Sequence, residues 1–315
     1  MKKIIILILG AAVAFGGFAC SKTQTAVPKG RVSISGAWAL YPIVVKWAEE
    51  FQKLNPQVKI DVQAGGAGKG IADALAGMVD FGMVSREVHP AEIEKGAMAI
   101  AVTKDAVVPM INAKNPFIKT LLEKGLTQKA FVAIWITKSA TAWADVIGGK
   151  APAPIHVFTR SDACGASETW AAFLGKRQED LAGVAVYGDP GLADAVRRDI
   201  LGIGYNNVNF AYDPKTLVPV EGLAAVPIDL NGNGTIDPAE RFYGTRDDLT
   251  KAIADGRYPS PPARDLYFVS KGLPAKPAAA AFLRWILTEG QKYVPETGYI
   301  RLSEEKLKAG LEKLK

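Results

Sequence analysis

Three short segments of this 315-residue chain repeat one local plan, which restricts the fold more than any other sequence feature. Each passes from a β-prone run through a turn of small residues into a helix start. They are Ser35-Gly36-Ala37-Trp38-Ala39-Leu40-Tyr41-Pro42, Ala64-Gly65-Gly66-Ala67-Gly68-Lys69-Gly70 and Arg160-Ser161-Asp162-Ala163-Cys164-Gly165-Ala166. Strands that feed helices return beside themselves as parallel neighbours with the helices laid over the sheet. The pattern predicts a strand over 32–35, a helix over 42–54, a strand over 59–63, a helix over 71–77 and a strand over 80–84. In the first helix Ile43, Val44, Trp47, Phe51 and Leu54 recur at helical spacing. Pro42 suits its first position, and Asn55-Pro56 stops it. This βαβαβ order implies an α/β fold with a largely parallel sheet.

The rest of the chain extends the plan. A mostly apolar run over 98–112, closed by Asn115-Pro116, is long enough to cross between two lobes. A second α/β region over 117–220 carries strands at 155–159 and 202–205 and helices at 166–175 and 191–198. Beyond Pro219 a connector leads to a strand over 266–270, a helix over 277–290 and a charged helix over 303–314. The expected organisation is two-lobed. Segments 31–112 and 221–302 form a discontinuous first lobe, 113–220 the second, and 303–315 a C-terminal helix. The length suffices for two ordinary cores.

The N-terminus sets the compartment. Lys2-Lys3 and the apolar run Ile4 to Ala19 precede Cys20, which is the layout of a secretory signal over 1–19. With Cys20 next, it resembles a bacterial lipoprotein signal, although Gly17 stands where that pattern usually has Leu. An ordinary signal peptide or an uncleaved anchor helix is the alternative. On the lipoprotein reading Cys20 carries the lipid, 20–30 is a flexible linker, and the protein is extracytoplasmic and membrane-anchored. Two or more acyl chains anchor stably, at about 0.8 kcal/mol per buried CH₂. Removing 1–19 takes away Lys2 and Lys3 and no acid, so the formal charge falls from +6 to +4. That charge is spread without a Lys/Arg block, so nucleic acid is not an expected partner.

The three turns suggest the chemistry. A small-residue turn ahead of a helix presents free backbone N–H groups at the positive helix end, a ready site for an anion. Three such turns with Arg160 are enough to enclose an oxyanion without a metal. Taken one at a time, each turn is equally a tight strand–helix connection. Two cysteines and two histidines exclude a soft-ligand metal centre. Enzyme motifs fail. Gly68-Lys69 lacks the rest of a P-loop, with Gln63 and Gly70 in the wrong places, and no Gly-x-Ser-x-Gly occurs. Ser303 to Lys306 reads as a helix cap. His89 and His156 have no partner nearby in sequence.

Over about 31–302 the chain resembles the PstS-like phosphate-binding subunits of bacterial phosphate ABC importers, type 2 periplasmic binding proteins. The supporting segments are 36–47, Val79-Asp80-Phe81-Gly82-Met83-Val84-Ser85-Arg86, Thr159-Arg160-Ser161-Asp162, Leu201-Gly202-Ile203-Gly204-Tyr205, 258–267, 290–293 and Gly298-Tyr299. The resemblance implies a ligand cleft between two lobes, phosphate or a related oxyanion as ligand, an ABC permease as partner, and a monomer. It implies no enzymatic activity. It places Trp38 and Ala39 in the first-turn position, Ala67 at the Gly-rich-turn serine, and Ser85, with Arg86 beside it, at an acid-or-serine position. Arg160 falls at the family arginine and Asp162 at the acid that orients it. Cys164, Gly165 and Ala166 fall where the family has serine, glycine and threonine. Four expected hydroxyl positions therefore lack one, each lost donor being worth about 1.5–3 kcal/mol to a buried anion. A different oxyanion or a small organic anion is the alternative ligand. An enzyme using Cys164, its thiol activated by the helix end and Arg160, is the alternative of another class.

One further motif stands apart. Residues 229–240 fit a calcium loop, with side-chain oxygens at Asp229, Asn231, Asn233, Asp237 and Glu240, a carbonyl at Thr235 and Gly234 at the sixth position. Structural Ca²⁺ is expected there, stiffening the connector between lobes. An Asx- and Gly-rich turn is the other reading.

Overall fold

The computed structural model describes residues 29–149 and 152–315. The leader over 1–19, Cys20 and most of the 20–30 linker lie outside these residues. Among the described residues no helix is long and apolar enough to cross a membrane.

The strands are β1 (Gly30–Gly36), β2 (Val58–Ala64), β3 (Phe81–Val84), β4 (Ala97–Asn112), β5 (His156–Arg160), β6 (Val184–Val186), β7 (Gly202–Asn207), β8 (Leu223–Ala225) and β9 (Ala263–Lys271). They lie in the order β2-β1-β3-β9-β4-β7-β5-β6, with β8 also on β4. The expected parallel pairing holds within each lobe, β1 with β2 and β3, and β5 with β6 and β7. At the centre β9 runs antiparallel to β3 and β4, and β4 antiparallel to β7 and β8. The sheet is therefore mixed.

The strand β4 belongs to both lobes. Its stretch from Ala97 to Ala106 pairs with β9, and that from Val107 to Asn112 with β7 and β8. The two hydrophobic cores divide at the same place. Val102 and Leu266 belong to the first core, with Trp47, Phe51, Phe81 and Phe282. Ala106 and Ala263 belong to the second, with Phe131, Trp135, Trp170 and Tyr205. This moves the expected boundaries at 112 and 221. Leu223, Ile228, Phe242, Leu249 and Tyr258 all pack into the second core, so 221–262 is second-lobe structure. The polar residues Thr103-Lys104-Asp105 interrupt the apolar run where it crosses, beside an irregularity in the β4–β9 ladder, but no glycine or proline there breaks the strand. The expected connector also holds a helix, Arg246–Ala254, capped by Thr245. The C-terminal helix Glu304–Glu312 is not separate, since Leu307 joins the first core.

The helix expected to begin at 71 begins at Ala67 and ends at Leu75. Its first turn is the Gly-rich segment itself. The glycines serve packing. A Cβ on Gly36 would meet the Gly70 Cα at 2.8 Å, one on Gly70 the Met83 carbonyl oxygen at 2.6 Å, and one on Gly82 the Gly70 carbonyl oxygen at 2.2 Å. Without side chains the helix lies directly on β1 and β3, and its N-terminus points into the junction between lobes.

Candidate anion-binding site

The predicted turns meet across the two lobes. The Gly68 N–H, in the first turn of the first-lobe helix, donates to the Ala163 carbonyl at 3.1 Å. A Cβ on Gly66 would stand 3.0 Å from Asp162 Oδ2, and one on Gly165 would stand 2.1 Å from the Ser85 carbonyl oxygen. A Cβ on Gly188 would lie 3.5 Å from Trp38 Nε1. Trp38, Gly66, Gly68 and Ser85 of one lobe therefore face Asp162, Ala163, Gly165 and Gly188 of the other, and Ala67 is buried between the two glycines of its turn. Trp38 also packs edge-on against Phe210 of the second lobe, and its indole N–H is buried without a partner. Ala39 and Ala166 are buried beside these turns, and the Ala39 carbonyl accepts from the Tyr299 hydroxyl at 2.6 Å.

Arg160 ends β5 at the floor of this junction, with its side chain wholly buried. Its Nε and Nη2 donate to the two oxygens of Asp162 at 2.8 and 2.6 Å, a bidentate fork. Its Nη1 donates to Asp189 Oδ2 at 2.7 Å. Burial disfavours the charged guanidinium, but Asp189 and Asp162 outweigh it and raise its pKa above the ordinary arginine value. Of five N–H groups three are committed, so Arg160 is a fixed cation with donor capacity to spare. Asp162 is held in turn by the Gly188 N–H at 3.2 Å. Asp189 is not among the residues that the sequence singles out. Its signal was weak, an acid in the turn Gly188-Asp189-Pro190-Gly191 that resembles a helix cap.

Cys164 caps the helix Gly165–Phe173, its Sγ accepting from the Ser167 N–H at 3.5 Å. The alternative reading of an activated thiol is not favoured here, and a small residue standing in for serine fits better. Burial pushes its pKa up, and the opposing pull of Arg160 is not enough. Ser167 Oγ, Tyr205 Oη and Thr159 Oγ1 continue a buried polar chain at 2.8 Å per step. The cysteine thus serves as a small polar cap on the helix.

Arg86 is spoken for. Its guanidinium forks onto Glu92 at 2.9 and 2.7 Å, and its Nε meets Glu168 of the second lobe at 2.9 Å. His89 Nε2 lies 3.1 Å from the same Glu168, and His156 Nδ1 lies 2.7 Å from Asp199. Both histidines therefore have partners, distant in sequence. Arg86 ties the lobes together beside a cavity of about 430 Å³ that Arg264 and Lys306 also line.

The 229–240 loop is closed on itself. Asp229 accepts from the Gly232 and Gly234 N–H groups at 2.7 and 2.9 Å, and Glu240 from those of Leu230 and Asp237 at 2.8 and 3.1 Å. Asn231 and Asn233 both donate to Asp237 Oδ2, and the Thr235 N–H donates to Asn233. Among the described residues no three carboxylates, histidines or cysteines gather as a metal cluster. The Ile236 N–H bonds to the Glu123 carbonyl at 2.9 Å. The loop thus braces the second-lobe helix Ile118–Lys124 instead of stiffening a connector between lobes.

A profile of the PBP superfamily domain matches residues 22–289. The phosphate-binding protein PstS of Pseudomonas aeruginosa is 26% identical, over 90% of this chain and 87% of that protein. Phosphate-binding protein PstS 2 of Streptococcus agalactiae is 31% identical over 123 residues, 39% of this chain and only 40% of that relative's length. Among solved structures, a putative phosphate ABC transporter substrate-binding protein with bound phosphate from Clostridium perfringens superposes with a TM-score of 0.70 at 24% identity, over 87% of this chain and 100% of that one. An ABC-type phosphate transport receptor from Vibrio cholerae gives 0.62 at 19% identity, over 86% of this chain and 100% of that one. The chain belongs to the PBP superfamily, as a PstS-like member with the type 2 periplasmic-binding-protein fold.

Proposed function

We propose that this protein captures phosphate, or a related oxyanion, outside the cytoplasm and passes it to an ABC permease. The observation that carries the reading is the meeting of first-lobe turns with the second-lobe turn at 160–166, where Arg160 is a buried guanidinium fixed by two carboxylates with donor groups left over. A fixed guanidinium and helix N-termini are the means by which a protein replaces an oxyanion's hydration shell. Closure of the lobes then completes the donor set around an anion first held by one lobe. The named relatives are binding proteins of transport systems, which agrees with this role and not with an enzyme.

Ala67, Cys164 and Ala166 bring no hydroxyl, and the unpartnered Trp38 indole N–H faces the same junction. These residues favour a second reading, a different oxyanion or a small organic anion. Calorimetric titration with phosphate, sulfate, arsenate, molybdate and small organic acids separates the two. One of them is expected to bind, with the affinity falling about 10- to 100-fold in Arg160→Lys, which keeps charge but loses the fork. Unchanged affinity in that variant refutes the site.

The finer features are proposals of the same kind. Cys20 is read as the lipid attachment, so Cys20→Ala moves the protein from the membrane fraction to the soluble one. The protein acts as a monomer, which light scattering checks. Ca²⁺ on the 229–240 loop would use Asp229, Asn231, Asn233, Thr235, Asp237 and Glu240, exchanging their internal hydrogen bonds for the ion.

A further inference from the structure

Arg264 reaches the second lobe from the hinge. It is the second residue of β9, and its ladder partner on β4 is Asp105. Its Nε donates to Asp105 Oδ1 at 3.0 Å. The remaining fork leaves the first-lobe sheet. Nη1 donates to the Gly165 carbonyl and to Thr169 Oγ1 at 2.9 Å, and Nη2 donates to Asn207 Oδ1. Asn207 closes β7, and its Nδ2 donates to Asp189 Oδ1. The other oxygen of Asp189 accepts from Arg160, and the Asp189 carbonyl is held by Asn206 at 2.9 Å.

The donor types make this chain specific. Arginine only donates and an ionised aspartate only accepts. A residue between Arg264 and Asp189 must accept on one side and donate on the other, within a short span. Asparagine does both as a neutral group. An aspartate at 207 would set like charges together, and leucine would leave Arg264 Nη2 and Asp189 Oδ1 without this bond. All four members, Arg264, Asn207, Asp189 and Arg160, are buried, so water is a poor substitute.

We propose that Arg264 is a positioning residue for the anion site, acting through Asn207 and Asp189 on Arg160 and through the Gly165 carbonyl on the helix turn above it. The proposal rests on the anion-binding reading of that site. It ties recognition at the cleft to the strands where the lobes join, since Arg264 and Asp105 sit where β4 and β9 pass from one core to the other.

The test is a double-mutant cycle, because spatial connection alone does not demonstrate coupling. Phosphate binding, or binding of whichever oxyanion the screen selects, is measured for the wild type, Arg264→Lys, Arg160→Lys and the double variant. Arg264→Lys keeps the charge beside Asp105 but has no planar fork. It is expected to lose about tenfold in affinity or more, and the double variant to bind no worse than Arg160→Lys. A second arm needs no ligand. In ¹⁵N-arginine spectra the Arg160 Nε–H of Asn207→Leu is expected to exchange about tenfold faster than in the wild type. Additive losses in the cycle overturn the proposal, and so does unchanged Arg160 exchange in Asn207→Leu. If Arg264→Lys does not fold, the cycle is run with Asn207→Leu in its place. If the wild type binds no oxyanion, the functional reading fails, while the exchange arm still decides the relay.

Discussion

A single methyl group on Gly165 separates closure of the lobes from folding of either one. A Cβ there would stand 2.1 Å from the Ser85 carbonyl oxygen and 2.3 Å from Ser85 Oγ. Ordinary contact lies near 3.5 Å, so the lobes must part by about 1.4 Å. Gly165 opens a helix and its backbone needs no left-handed conformation, so alanine is well tolerated within the second lobe. Overpacking of this kind costs about 1–3 kcal/mol, and here that cost falls on the closed state. Gly165→Ala is therefore expected to weaken anion binding by roughly 5- to 150-fold while the ligand-free melting temperature stays at or slightly above the wild type. Gly244→Ala is the control, since nothing lies within 4 Å of its added Cβ. Calorimetry and thermal melts of the three proteins decide the matter. Wild-type affinity in Gly165→Ala would refute the claim that the ligand is held by this contact between lobes.

Other outcomes are expected from the buried groups. Burial, opposed by Arg264, raises the Asp105 carboxyl from 3.8 to about 6. The folded state then takes up a proton that the unfolded chain does not, so stability from this site grows by roughly 3 kcal/mol as pH falls from above 6 to below 4, and is lost as pH rises. Urea melts of the wild type and Asp105→Asn should show that slope in the first and not in the second, and parallel slopes would count against it. The buried Cys164 thiol should resist a thiol reagent in the native protein and react on denaturation, whereas rapid native labelling would restore the activated-thiol reading. Millimolar Ca²⁺ should raise the melting temperature, and Asp229→Asn with Glu240→Gln should abolish the rise. No shift in the wild type withdraws the ion.

The parts of the fold that repeat a local pattern were legible in the sequence. The helix Tyr41–Leu54 announced itself by Pro42, by apolar spacing and by Asn55, whose N–H and amide both bond back to the Phe51 carbonyl at 2.9 and 3.1 Å. Arg160 and Asp162 were legible because they sit two residues apart in one turn. Asp189, Asn207 and Arg264 were not, since they gather around Arg160 only after four strands are in place. The glycines of 65–70 signalled a turn correctly, yet their extent hid a helix start, because a helix that needs bare backbone against a sheet looks like a loop in composition. Arg86 misled for a similar reason. Its neighbour Ser85 faces the junction, while its own partners Glu92 and Glu168 lie elsewhere in the chain.

The place of β9 between β3 and β4 carries a consequence for how the chain comes to be folded. Its two neighbours are made early, and β9 itself begins at Ala263, more than 150 residues after Asn112. A nascent chain released as far as 262 has every strand of the second lobe's sheet. Its first lobe has an open slot with two bare strand edges, one on β3 and one on the first half of β4. Such edges invite pairing with other chains until they are filled, and contacts this distant in sequence form slowly. The second lobe, inserted in the middle of the first, is thus the part equipped to fold first. The first lobe closes only when the late strand is threaded into place. Between those two events the edges of β3 and of the first half of β4 stand open.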